Sequence, residues 1–385
     1  MGRALSIDMK DNTMPIRILQ VVTQMDRAGL ETMLMNYYRQ IDREHLQFDF
    51  LKHREKPGAY DKEIIALGGR IYHVPAIAPR SFPRYLKALE TFFAEHPEYR
   101  VVHSHLDALS SFVLQAAKKA GVPVRIAHSH NNGFEKDYKF PIRVAAKQLL
   151  PMCATHYWGC SSEASCFLFG KDLMSNPGWR ILPNAIDLDR FAFSQTVRRE
   201  IRQELQLGDA LVLGHIGRIC YQKNQEFLLK IFAEVKKRRE NTILLLIGEG
   251  KDREALLEQA RRLQVDDSVR MMGVREDIPR LLQGMDLFLL PSRFEGLGIV
   301  LLEAQAAGLW CLVSDRVSRE GDLTGQVVYW PLERSPADWA EKTLALAERG
   351  RAAVRWEAFQ EAGYDIVSAA RSLESEYMRL WGDGS

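Results

Sequence analysis

The sequence predicts an α/β protein of two domains, each a parallel sheet layered with helices around a shared cleft. Three observations carry that expectation. Apolar strands alternate with amphipathic helices from Ile16 almost to the C-terminus, the pattern of parallel α/β sheets. The alternation breaks once, at the polar stretch QTVRREIRQEL that begins at Gln195. A chain of 385 residues is also too long for one ordinary core and suits two.

Residues 1–14, MGRALSIDMKDNTM, form a polar N-terminal extension without the apolar segment of a secretory signal. Residues 15–192 are the first expected domain. IRILQVV (16–22) reads as a buried strand, the loop TQMDRAGLE leads into the helix LETMLMNYYRQI, and LQFDFL, RIYHV, RVVHSH, VPVRIAHSH, THYWGCS and WRILPN bring the strands to about seven. ILPNAIDLDRFAF (181–193) closes this run, and QTVRREIRQEL resembles a linker into a new helix. A second Rossmann-like domain, 193–365, is expected from ALVLGHIGRI, TILLLIGEG, SVRMMG, DLFLL, WCLVSD and QVVYW. Residues 366–385 are expected to form a helix that returns to the first domain and locks the halves together.

Composition excludes several classes. A 46% hydrophobic and 26% charged chain is that of a soluble globular protein, and no apolar run reaches the ~18 residues of a membrane span. The five cysteines show no C-x-x-C or Cys/His metal spacing and read as reduced thiols of a cytosolic protein. A net charge of +2 is too small for a nucleic-acid partner. The charge is unevenly placed, however: residues 1–192 carry 25 Lys and Arg against 20 Asp and Glu, the remainder 27 against 30. Within the basic half, FEKDYKFPIRVAAKQLL (134–150) mixes Lys136, Lys139, Arg143 and Lys147 with Phe134, Tyr138, Phe140 and Leu150. That basic amphipathic pattern predicts loose peripheral association with anionic bilayers.

The stretch PSRFEGLGIVLLEAQAAGLWCLVSD (291–315) organises the functional reading. An apolar strand, Leu287 to Leu290, runs into a loop with Glu295, Gly296 and Gly298 and then into an apolar helix from Ile299 to Ala307. Such a loop lies at the carboxyl end of a parallel strand, where open α/β sheets bind ligands. The helix start offers free amides to an anion, and the glycines let a phosphate come close. Glu295 and Glu303, eight residues apart, are placed to touch two parts of one ligand. Arg218 and Lys223 flank the start of the helix NQEFLLKIFAEV. Cations there oppose the helix dipole unless an anion sits between them.

Other polar loops are weaker signals. Ala28, Gly29 and Glu31 form a tight turn opening a helix, and GEGK (248–251) is an incomplete phosphate motif that reads as a second close-approach turn. His103 and His105, and again His128 and His130, end two strands of the first domain. Each pair is i,i+2 and no third ligand stands nearby in sequence, which favours a polar, substrate-facing role over a metal. Asp187-Leu188-Asp189 is the only D-x-D, and it lies in the interdomain segment rather than at a strand end.

Taken together, Gly29 with Glu31, His128, Arg218-x4-Lys223 and EGLGIVLLE, with EAQAAG, LVSD and PNAIDLDRF, resemble the family-4 retaining glycosyltransferases of the GT-B fold over about residues 16 to 380. AGLETMLMNYYR and EAQAAGL are most similar to enzymes of bacterial exopolysaccharide and capsule assembly. The resemblance implies a nucleotide-sugar donor, UDP-linked before GDP-linked, and a glycan or lipid-linked acceptor. It implies that Arg218 and Lys223 hold the diphosphate with the amides near Gly298, Ile299 and Val300. It places Glu295 on the donor sugar, Glu303 on the ribose, the segment near Val274 at the base, His128 beside the sugar and Gly29 at the phosphate and acceptor. It implies no cofactor and no metal, the leaving phosphate itself accepting the acceptor's proton. Ala28, Gly298 and Trp310 depart from the usual Gly, Pro and Pro, beside the acceptor and the sugar pocket. A GT-B epimerase or phosphorylase, a dinucleotide dehydrogenase lacking G-x-G-x-x-G, and an inactive glycan-binding module are the rival readings.

Overall fold

The computed structural model describes residues 14–134 and 137–383. All but Met14 of the expected N-terminal extension, and Lys136 of the basic stretch, lie outside the described residues. The first sheet contains β1 (Ile16–Val22), β2 (Leu46–Lys52), β3 (Ile71–His73), β4 (Val101–Ser104), β5 (Val124–Ser129), β6 (His156–Gly159) and β7 (Trp179–Ile181), in the order β3-β2-β1-β4-β5-β6-β7. The second contains β8 (Leu211–Ile216), β9 (Thr242–Ile247), β10 (Val269–Gly273), β11 (Leu287–Leu290), β12 (Trp310–Ser314) and β13 (Val327–Trp330), in the order β10-β9-β8-β11-β12-β13. Neighbouring strands pair in parallel throughout.

Parallel strands covered by helices on both faces must be apolar nearly continuously. LFLL of β11 meets that demand, with all four residues inaccessible to solvent. In each sheet the strand order reverses next to the first strand, between β1 and β4 and between β8 and β11. At such a switch the flanking crossovers diverge and leave a crevice beyond the carboxyl ends. The chain is therefore an α/β protein of two Rossmann-like halves, seven and six strands, each with a crevice.

The polar stretch after residue 193 is itself a helix, Gln195–Glu204, rather than a linker. Ser194 caps it by accepting a bond from the Val197 amide. Arg198 and Arg202 reach Asp286 at 2.5 and 3.3 Å, which fastens the helix to the second half. The main chain crosses back near residue 365, where Ile186 and Asp365 form a parallel bridge flanked by Ile186 N to Tyr364 O (3.0 Å) and Ile366 N to Ile186 O (3.1 Å).

Beyond that bridge the helix Ile366–Asp383 packs on the helix Gly29–Gln40 and on β4. Leu373, Tyr377 and Leu380 line its buried stripe at helical spacing. Burial of each is worth roughly 1.5–3 kcal/mol. Glu374 Oε1 accepts the Asp42 amide at 2.7 Å and Glu376 pairs with Arg180 at 3.5 Å. No described helix is long and apolar enough to cross a membrane.

Candidate active site

The loop after β11 is built to hold two carboxylates near one helix start. Gly298 is the N-cap of the helix Ile299–Ala306, in extended conformation with no side-chain cap. Its first amides have no partner within the helix. Glu295 is 8% exposed, and its backbone bridges to Val317. Lys223 Nζ lies 2.6 Å from Glu295 Oε2, and Ser292 Oγ donates to the same oxygen at 3.5 Å. The lysine arrives there because Asn224 adopts the left-handed region (φ 57°) and donates from Nδ2 to Pro291 O at 3.1 Å. Gly217 leaves its path clear, since a Cβ there would stand 3.1 Å from Lys223 Cε.

One turn along, Glu303 is 6% exposed and accepts no hydrogen bond from a described residue. Burial pushes its carboxyl up to about 7, with Arg190 pulling the other way. With no donor on it, the carboxyl keeps a sliver of solvent contact and so stays open to a ligand.

The first half supplies the opposite wall. Gly29 faces Ile299, whose Cγ2 would be 3.8 Å from an added Cβ. Glu31, in the first turn of the same helix, is pushed up to about 7 by burial, with its backbone hydrogen bond and Arg218 of the second half opposing the shift. Gly296 presses against the first half so closely that a Cβ would meet His130 O at 2.6 Å. Gln222 Nε2 donates to Asn131 Oδ1 (3.1 Å) and to Phe294 O (3.2 Å), and Arg27 pairs with Glu276 at 2.5 Å. Glu320 of the second half accepts the Ser162 amide through both oxygens at 3.0 Å, at the start of the helix Ser162–Phe169. Val274, just past β10, is half exposed at the rim.

Three sequence expectations are revised. The GEGK turn approaches protein, not ligand: a Cβ on Gly248 would meet Gly217 O at 2.2 Å, and one on Gly250 would meet Ile219 O at 2.0 Å. His128 has no exposed surface and lies behind the partly exposed His130, whose ring stacks on it at 4.0 Å. The third ligand that the sequence spacing did not show is supplied to His103 and His105 by His128 of the other pair. The register His103↔Ile126 brings both strand ends to one face, so His103, His105 and His128 have ligand atoms within 4.8 Å of one another. His103 Nε2 is 3.0 Å from His128 Nδ1, and His105 Nδ1 is 3.0 Å from His130 Nε2. Burial holds all four imidazoles below their ordinary range and hence uncharged.

Sequence reasoning missed Gln222, Asn131 and Glu320, whose roles depend on the two halves meeting. The loop thus offers an anion a helix start and Lys223, and offers hydroxyl donors two buried carboxyls, within one interdomain crevice.

The profile of the family described as Glycosyl transferases group 1 matches residues 197–357. The chain is 36% identical over 373 residues to EpsF of Bacillus subtilis (strain 168), a protein named as a glycosyltransferase, covering 95% of this chain and 97% of EpsF. It is 28% identical over 269 residues to the UDP-Gal:alpha-D-GlcNAc-diphosphoundecaprenol alpha-1,3-galactosyltransferase of Escherichia coli, covering 64% of this chain and 66% of that one. In fold it is similar to HepE of Anabaena, solved in complex with UDP and glucose, with TM-score 0.75, 18% identity, and 94% and 99% of the two chains covered.

Proposed function

Because the chain belongs to the group 1 glycosyl transferases, we propose that it moves a sugar from a UDP-sugar to a lipid-linked or glycan acceptor in exopolysaccharide, capsule or envelope synthesis, with retention of anomeric configuration. The observation that carries the nucleotide part is Glu303. Its carboxyl is buried, lacks a donor and stands beyond the helix start, where the two ribose hydroxyls of a nucleoside diphosphate would satisfy it.

The remaining roles follow from chemistry. Departure of a nucleoside diphosphate builds charge on its β-phosphate, and fixed donors stabilise that charge more in the transition state than before it. Lys223, Arg218 and the amides of Ile299 and Val300 supply such donors without a divalent ion at the diphosphate. When the phosphate takes Lys223, Glu295 loses its partner and is free to accept hydroxyls of the sugar. Val274 borders the base, and Gly29 admits the phosphate and acceptor. Of the histidines, His130 is the nearer to the crevice, and His128 acts on the sugar through it. A uracil nucleotide and a lipid-linked acceptor are supported by the Escherichia coli relative's name; a GDP-sugar is the alternative.

The exposed face of the helix Phe140–Cys153 supports peripheral attachment to membrane on the basic half. Val144, Leu149 and Met152 on it, and Tyr138 just before it, all face solvent. Calorimetric titration with UDP, GDP and ADP, followed by transfer assays with the sugars of the nucleotide that binds, tests the reading. Tight binding of UDP lost in Glu303→Ala is expected. Indifference of the protein to all three nucleotides would sink it.

A further inference from the structure

Four histidines converge under the crevice, from the ends of β4 and β5, and the mechanism above uses only His130 directly, with His128 behind it. Their arrangement has the layered order of a metal centre. His105 Nε2 donates to Gln20 Oε1 at 2.8 Å, and His103 Nδ1 lies 2.6 Å from Tyr377 Oη, which also accepts from Gln20 Nε2 at 3.2 Å. Each of these two rings therefore has one nitrogen anchored outward on a fixed polar group and the other turned inward. Ligating imidazoles are oriented in this way by an outer partner.

The inward nitrogens are close together. His103 Nε2 to His128 Nδ1 and His105 Nδ1 to His130 Nε2 are both 3.0 Å. Nitrogens bound at ~2.0–2.1 Å around one tetrahedral ion stand ~3.3 Å apart, so an ion fits the His103–His128 contact with little movement, and the His105 ring, whose ligand atom is within 4.8 Å of both, must swing in to complete the set. His128 differs from the other two, because its Nε2, on the far side of the ring from the His103 contact, is buried and has no outer anchor.

We propose that His103, His105 and His128 bind one borderline-soft transition-metal ion of the Zn²⁺ type, its fourth position taken by water. All-imidazole donors suit zinc, copper or nickel and not magnesium or calcium. Bound there, the ion ties β1, β4, β5 and, through Tyr377, the C-terminal helix into one wall behind Gly296. The site is separate from the diphosphate and stands whether or not the donor assignment does.

The test uses full-length protein without a polyhistidine tag, stripped with chelator and titrated with Co²⁺ alone. One equivalent with the visible absorption of four-coordinate Co²⁺, displaced by Zn²⁺, is expected. His103→Gln should abolish it, and His45→Gln, at an exposed histidine, should leave it intact. Tyr377→Phe keeps all three donors and should weaken binding ~10- to 100-fold, the usual effect of removing an outer partner. Wild-type protein that binds no stoichiometric Co²⁺ or Zn²⁺, or binding unchanged by both His103→Gln and Tyr377→Phe, would reduce the cluster to a hydrogen-bonded core.

Discussion

Replacing Lys223 by Ala separates the two tasks that its position gives it. The 2.6 Å contact with Glu295 joins side chains only 13% and 10% exposed. At an effective dielectric near 20, the direct attraction at that distance is about 6 kcal/mol, and desolvation of both groups offsets much of it. Removing one member of such a pair leaves the other buried and unpaired, a loss of roughly 3 kcal/mol. Lys223→Ala should therefore lower the stability of the free protein by about that amount in urea unfolding at pH 7. Lys223→Ala/Glu295→Gln should regain most of it, because no orphan charge remains. Turnover behaves differently. Both variants lack the cation at the leaving diphosphate, so kcat should stay ~10²- to 10³-fold down in each. A double variant no more stable than the single would refute the pairing argument, and near-normal kcat in either would refute the diphosphate role.

Glu303 predicts a pH effect of defined sign. Its carboxyl is raised to about 7 from an ordinary 4.5, so between those values the folded protein holds a proton that the unfolded chain has lost, and stability falls as pH rises through that window. Glu303→Gln should be more stable than wild type at pH 8 by roughly 1–3 kcal/mol. UDP affinity should rise more steeply from pH 6 to 8 in wild type than in Glu303→Gln, where only ionisation of the nucleotide's terminal phosphate, near pH ~6, remains; parallel calorimetric profiles would count against the ribose contact. Transfer should survive excess EDTA and fall ~10²- to 10³-fold in Arg218→Ala, and activity restored specifically by Mg²⁺ or Mn²⁺ would overturn the metal-free diphosphate. Restoration by Zn²⁺ alone belongs to the histidine site instead. Sedimentation with anionic liposomes at low salt should exceed that with neutral ones and drop in Leu149→Glu, and equal sedimentation of wild type with both would exclude the attachment.

Much of the architecture was legible because parallel strands leave a plain trace. ILLLI (243–247) and LFLL are continuous apolar runs, IRILQVV is one broken only by Arg17 and Gln20, and the intervals between them carry helical periodicity. The donor loop was legible for a related reason, since strand, glycine loop and apolar helix are contiguous in sequence. What stayed hidden depends on register and on the meeting of the halves. The histidines show i,i+2 spacing in sequence, but only the pairing of β4 with β5 sets His103 against His128. GEGK looked like a ligand turn because glycine signals close approach without naming what approaches. Lys223 and Arg218 look alike as cations before a helix, yet Lys223 is paired with Glu295 and Arg218 stands across from Glu31.

The helix Ile366–Asp383 has a consequence for biosynthesis. Tyr377 covers Gln20, His103 and the edge-on ring of Phe48, residues that a ribosome delivers before it makes any strand of the second sheet. Until residues 366–383 emerge, that face of the first sheet has no lid, although every strand of both sheets has been made. The usual order, in which an N-terminal domain folds before its successor, is closed to this protein in full. Its first half must wait, partly assembled, for that helix, and a truncation that spares every strand would still leave the first sheet uncovered there.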